Sequence, residues 1–313
     1  MNLRKIASLL MLVVLVFGLV ACNNEQKPAE TPAEETVETR EESTETVEEP
    51  AEESNFDTSA SIDVISREDG SGTRGAFVEI TGVESDGNDN TSVGAIIQNS
   101  TNGVMTTVSG DEVGIGYISL GSLNDTVKAI QVEGVDATAD NVKSGTYPVA
   151  RPFNVAWKED SIGEIGQDLM KFIHSPEGQA VVEESGFVSA GVEEDYEPAG
   201  LSGQITVGGS TSVTPVMEKL VEAYTVHNPD VQVDIQSTGS SAGMTAAMEG
   251  QANIGMASRE LKDEEAAALE SSVIAIDGIA VIVHNDNPLE TLTMDEIQKI
   301  FIGEITTWNE VIK

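Results

Sequence analysis

The chain has 313 residues, with 54 Asp and Glu against 16 Lys and Arg, a formal charge of −38, three His and one Cys. So acidic a protein is repelled by nucleic acid and by anionic lipid, which excludes nucleic acid as a partner. A lone cysteine excludes an internal disulfide, and with no Cys/His cluster and no HExxH run, no metal and no cofactor is expected.

The first residues predict export. Arg4 and Lys5 precede an apolar run from Ile6 to Val20, then Ala21 and Cys22, a secretory-signal layout too short for a membrane span of ~20 residues. Leu19-Val20-Ala21-Cys22 resembles a bacterial lipobox. That resemblance implies a signal peptide at 1–21, lipidation at Cys22 and an extracytoplasmic protein anchored to the cell membrane. An ordinary signal peptide with an incidental cysteine is the alternative.

Residues 22–58 are expected to form an acidic, disordered tether. Between positions 23 and 55 stand twelve Glu against Lys27 and Arg40, with no aromatic residue, and Pro28, Pro32 and Pro50 interrupt any helix. Such a segment buries too little apolar surface to offset its ordering entropy. The first 55 residues carry −8 of the charge, leaving −30 on residues 56–313, a length suited to two compact lobes. An anion site in so acidic a body must work by short-range hydrogen bonds.

Three segments then share one arrangement: an apolar strand, a loop of Ser, Thr and Gly, and a helix. In the first, Ile62, Val64 and Ile65 lead into Arg67-Glu68-Asp69-Gly70-Ser71-Gly72-Thr73. In the second, Ile205 and Val207 lead into Gly209-Ser210-Thr211-Ser212, with Thr214 the expected N-cap, Pro215 the first helical residue, and Val216, Leu220, Val221 and Tyr224 one apolar stripe. In the third, Val231, Val233 and Ile235 lead into Gly239-Ser240-Ser241-Ala242-Gly243 and a helix through Met248. Helix N-termini present free N–H groups and partial positive charge, hydroxyls add neutral donors, and a guanidinium adds charge-assisted, often bidentate, bonds to an oxyanion. One such loop means little, but three with Arg67 point to an oxyanion site.

Two enzyme-like patterns compete. Gly70, Gly72 and Gly75 fit G-x-G-x-x-G, but a polar loop from Glu84 to Ser92 follows, in place of a helix leading to a second parallel strand. Gly239-Ser240-Ser241-Ala242-Gly243 fits G-x-S-x-G, and Asp277 and His284 follow in hydrolase order, so a secreted serine hydrolase is the alternative from another class. His284 precedes Asn285-Asp286-Asn287-Pro288 and reads as turn-proximal, which argues against it.

Residues 203–313, through GGSTSVTPVMEKL, GSSAG, ANIGMASRELKDEE, IDGIAVIV and IFIGEITTWNEV, resemble the N-terminal half of the phosphate-binding proteins of bacterial phosphate ABC transporters. Residues 61–195, through ISREDGSGTRGAF, VGIGYISL, YPVARPFNV and FIHSPEGQAVVEESGFV, resemble the later part of the same proteins. The resemblance implies an α/β, type II periplasmic-binding-protein fold: two lobes, a hinge of two crossover strands, and an interlobe ligand cleft. It implies non-catalytic binding of inorganic phosphate and delivery to the permease subunits. Residue by residue, Thr211, Ser212, Ser240, Arg67, Ser71, Gly72 and Thr73 match phosphate contacts, with Asp69 placed to orient Arg67. Each is open to a helix-capping role as well. Ser258 stands where some members carry an aspartate that accepts a proton from phosphate, and serine donates as well as accepts. Asp69 or Glu68 is then the expected acceptor, while Arg259 either reaches the site or pairs with a carboxylate such as Glu260 or Asp263. Sulfate and molybdate stay open as alternative ligands.

In the usual family order the GSTSVTP half comes first. Here the halves are exchanged, as in a circular permutation, with Gly191 to Gly203 as the new connection. The expected lobes are 151–284, continuous, and 59–150 plus 285–313, split. A monomer is expected, with Ser61 and Lys313 within about 20 Å, the reach of six extended residues. The alternative is two half-proteins that assemble by exchange between chains.

Overall fold

The computed structural model describes residues 55–312. The expected signal peptide, Cys22 and most of the expected tether lie outside that range. Eight strands carry the architecture: β1 (Asp63–Arg67), β2 (Ile96–Gln98), β3 (Gly114–Ser119), β4 (Ala150–Trp157), β5 (Gly203–Gly209), β6 (Val231–Ser237), β7 (Ile254–Ala257) and β8 (Glu270–Val283). They lie in one sheet in the order β6-β5-β7-β4-β8-β3-β1-β2. β1 runs parallel to β2 and β3, and β5 runs parallel to β6 and β7. Between these trios, β4 and β8 are antiparallel to each other and to β7 and β3 respectively. β3 and β7 are buried along their whole length, as strands covered on both faces require.

The α-helices among the described residues are α1 (Gly72–Ile80), α2 (Thr101–Ser109), α3 (Ala139–Lys143), α4 (Gly163–Ile173), α5 (Pro176–Glu184), α6 (Thr214–His227), α7 (Ser240–Met248), α8 (Asp263–Ala268) and α9 (Met294–Ile302). None of the described helices is long and apolar enough to cross a membrane. Val216, Leu220 and Tyr224 of α6 are buried as the stripe predicts, joined by Met217. Thr214 is not the N-cap of α6 but its first residue, because its hydroxyl donates back to the Ser210 carbonyl at 3.0 Å. The segment after α1 also departs from expectation. Glu84–Ser85 and Asn88–Asp89 pair as a small hairpin, after which β2 does run parallel to β1.

The two larger hydrophobic cores among the described residues flank the middle of the sheet. Phe77, Tyr117, Phe301 and Trp308 centre one, where Phe77 and Tyr117 stack with ring centroids 3.9 Å apart. Phe153, Phe172, Val207, Leu220 and Tyr224 centre the other. β8 serves both. Its Ile274 and Ala275 pack in the second core, and its Ile279, Val281 and Val283 in the first.

The start and finish of the described chain meet. Ile62 N–H donates to the Thr306 carbonyl at 2.9 Å, Ser61 bridges Thr307, and Phe56 meets the fully buried Trp308 edge-on at 5.8 Å. Residues 56–58, counted in the tether from the sequence, are therefore part of the fold. Phe56 supplies the apolar contact that the aromatic-free stretch before it lacks.

Candidate anion site

Parallel strands end with their carboxyl ends on one side, so the loops that follow them converge. β1 runs through Arg67–Ser71 into α1, β2 through Asn99 and Ser100 into α2, β5 through Ser210–Val213 into α6, and β6 through Thr238 and Gly239 into α7. β7 ends just before Ser258.

Arg67 is 1% exposed at the centre of this convergence. The Glu68 carboxylate forks onto it, accepting from Nε at 2.8 Å and from Nη2 at 2.9 Å. Nη2 also donates to Thr211 Oγ1 at 3.0 Å, in the loop between β5 and α6. Behind it, burial pushes Tyr117 up to about 12, so the ring stays a neutral phenol, 2.8 Å from Ser66 Oγ and accepting from the Arg67 N–H.

Hydroxyls fill the rest of the site. Ser212 Oγ lies 2.8 Å from Thr73 Oγ1 and 2.9 Å from Thr101 Oγ1, while Ser210 Oγ donates to Ser258 Oγ at 2.9 Å. Ser240 Oγ accepts from the Ser258 N–H at 3.2 Å. Ser212, Ser240 and Ser258 are wholly buried. Gly72 lies tight against the start of α7 and the end of β7: a Cβ there would overlap Ser240 Oγ and come within 2.8 Å of Ser258 Oγ. Ser71 is buried and caps α1, its Oγ accepting from the Arg74 N–H at 3.3 Å.

Arg67, Ser71, Gly72, Thr73, Thr211, Ser212, Ser240 and Ser258 are thus brought to one place. Thr101 and Ser210 belong there too. Ser210 lay unselected inside the GGSTS loop. Thr101 opens α2 behind a Ser100 N-cap, the one signal that could have marked a fourth strand–loop–helix unit.

Two neighbours fall elsewhere. Asp69 does not orient Arg67: its side chain is 98% exposed and pairs with Arg74 at 3.0 Å. The adjacent Glu68 takes that role because it faces inward. Arg259 is forked by Glu265 at 2.7 and 2.8 Å and also donates to the Glu260 carbonyl, which ties its charge to the β7–α8 turn. Burial raises the Glu265 pKa, but hydrogen bonds from Arg259 and the Lys262 N–H, with the charges of both residues, together bring it below the usual 4.5. A depressed carboxyl stabilises the fold above its unfolded value and loses that contribution as pH falls through the folded one. Acid melts are therefore expected to weaken below about pH 4.5, and Glu265→Gln is expected to flatten that limb. An unchanged acid limb in the variant counts against the fork.

The hydrolase residues do not assemble. Asp277 bonds to Arg151 and Ser119, His284 accepts from the Asp286 N–H, and Ser241 Oγ contacts Arg259, so none of their hydrogen bonds links one to another.

A family model described as PBP superfamily domain matches residues 54–177 and 195–313. The chain is similar to Phosphate-binding protein PstS 2 of Streptococcus pneumoniae, at 46% identity over 99% of this chain and 100% of that one. It is also similar to Phosphate-binding protein PstS 2 of Streptococcus agalactiae, at 45% identity over 83% and 91%. Among solved structures, the crystal structure of a phosphate ABC transporter, phosphate-binding protein from Streptococcus pneumoniae superposes with a TM-score of 0.66. It is 51% identical and covers 81% of this chain and 100% of that one.

Proposed function

Because this chain belongs to the PBP superfamily, we propose that it is a non-catalytic solute-binding protein that takes up inorganic phosphate between its lobes and delivers it to the permease of a phosphate ABC transporter. One observation carries this reading. A buried guanidinium from one lobe is surrounded by hydroxyls of both lobes, at the N-termini of α1, α2, α6 and α7. A tetrahedral oxyanion needs donors on several sides, and its bonds to Arg67 are charge-assisted. The relatives named for phosphate binding supply the choice of anion.

Phosphate is held by Arg67, Ser71, Gly72, Thr73, Thr101, Ser210, Thr211, Ser212, Ser240 and Ser258. The lobes are 59–150 with 285–313, and 151–284, with β4 and β8 crossing between them. The halves stand in exchanged order, which the pairing of residues 58–62 with 306–309 supports. The protein is a monomer, anchored outside the cytoplasm by a lipid on Cys22.

Calorimetry on the ligand-stripped protein is expected to show micromolar phosphate binding, about −8 kcal/mol. Absence of binding at that concentration, or tighter binding of sulfate or molybdate in competition, overturns the assignment. With Ser258 at the aspartate position, the carboxylate left beside the anion is Glu68. Phosphate-over-sulfate preference is therefore expected to fall in Glu68→Gln and to hold in Asp69→Asn, as competition calorimetry on the two variants will read. The reverse pattern would place the proton acceptor at Asp69.

A further inference from the structure

Behind the anion site, an ion pair is sealed into the two strands that join the lobes. Arg151 on β4 and Asp277 on β8 stand opposite each other in register, 1% and 0% exposed, with Nη2 donating to Oδ2 at 2.9 Å. Asp277 reaches one lobe, where Ser119 Oγ at the end of β3 donates to Oδ1 at 3.0 Å. Arg151 reaches the other, where Nη1 donates to the Ser258 carbonyl at 3.0 Å. Ser258 in turn bonds Ser210 through its hydroxyl and Ser240 through its N–H. A continuous path, Ser119–Asp277–Arg151–Ser258, therefore runs from one lobe through the hinge strands to the anion site.

Stability alone is a weak reason for such a pair. Desolvating two charges offsets most of their attraction, and well-packed apolar residues often serve as well. What apolar residues cannot do is hold a carbonyl. The guanidinium has separate arms, one on the Asp277 carboxylate and one on the Ser258 peptide, a division that a lysine ammonium does not reproduce. We propose that Arg151 is a positioning and selectivity residue for the anion site: it sets the Ser258 peptide against Ser240 and Ser210, and Asp277 ties that setting to β3 across the hinge. The proposal rests on the phosphate-binding reading.

The test uses the full chain, with phosphate and sulfate titrated into wild type, Arg151→Lys and the Arg151→Met/Asp277→Leu pair. Arg151→Lys keeps a charge opposite Asp277 but gives up the arm on Ser258. It is expected to weaken phosphate at least fivefold and to lower the phosphate-to-sulfate ratio, with the ligand-free melting temperature little changed. The charge-free pair is expected to fold and to weaken phosphate at least tenfold. Phosphate affinity and ratio within twofold of wild type in Arg151→Lys overturn the proposal. So does an equal loss for both anions accompanied by a lowered melting temperature, the mark of a merely structural pair. A wild type that binds no phosphate removes the functional reading itself, a failure distinct from variants that bind as wild type does.

Discussion

Replacing Arg67 with alanine is expected to abolish phosphate binding at micromolar concentrations. Arg67 is the buried cation among otherwise neutral donors, and bonds to a charged group contribute about 1.5–3 kcal/mol each. Losing two of them weakens binding by roughly 100- to 10,000-fold. The substitution also strips Glu68 of both its hydrogen bonds from Arg67, leaving an unpaired carboxylate that repels the anion. Arg67→Ala/Glu68→Ala is therefore expected to bind better than Arg67→Ala alone. Calorimetry on the single and double variants checks both statements. Binding by Arg67→Ala within tenfold of wild type would mean that the hydroxyls and helix N-termini suffice and that Arg67 is not the anchor.

Gly72→Ala is expected to separate folding from ligand capture. Gly72 is the first residue of α1 in a backbone conformation that alanine can adopt, so the substitution lowers unfolded-chain entropy and stabilises by about 0.4–1 kcal/mol. Stability without ligand should hold or rise once the lobes part. Closure is another matter, since the added methyl would sit on Ser240 Oγ and 2.8 Å from Ser258 Oγ. Overpacking of this kind costs about 1–3 kcal/mol, between fivefold and 150-fold in affinity. The expected pair of readings is an unchanged or higher ligand-free melting temperature with much weaker phosphate binding. Unimpaired binding would show that the lobes do not close this tightly on the ligand.

The local chemistry was legible in the sequence by itself. Strand patterns at 62–65, 205–207 and 231–235, followed by Ser, Thr and Gly, located three of the loops at the site, because hydrophobic periodicity and helix-capping chemistry are written within a few consecutive residues. Partner choice was not. Glu68 and Asp69 are adjacent carboxylates of equal charge, and only the path of the chain turned one toward Arg67 and the other to solvent. Arg259 had several acidic neighbours in sequence, and the α8 turn selected Glu265. Thr101 entered the site because Ser212, 111 residues away, packs against it, and Arg67 meets Thr211 across 144 residues. Phe56 joined the fold because Trp308 was there to meet it. A hydrogen bond or a ring contact is decided by a few ångströms in space, and for residues far apart along the chain that distance exists only once the sheet has brought its strands together.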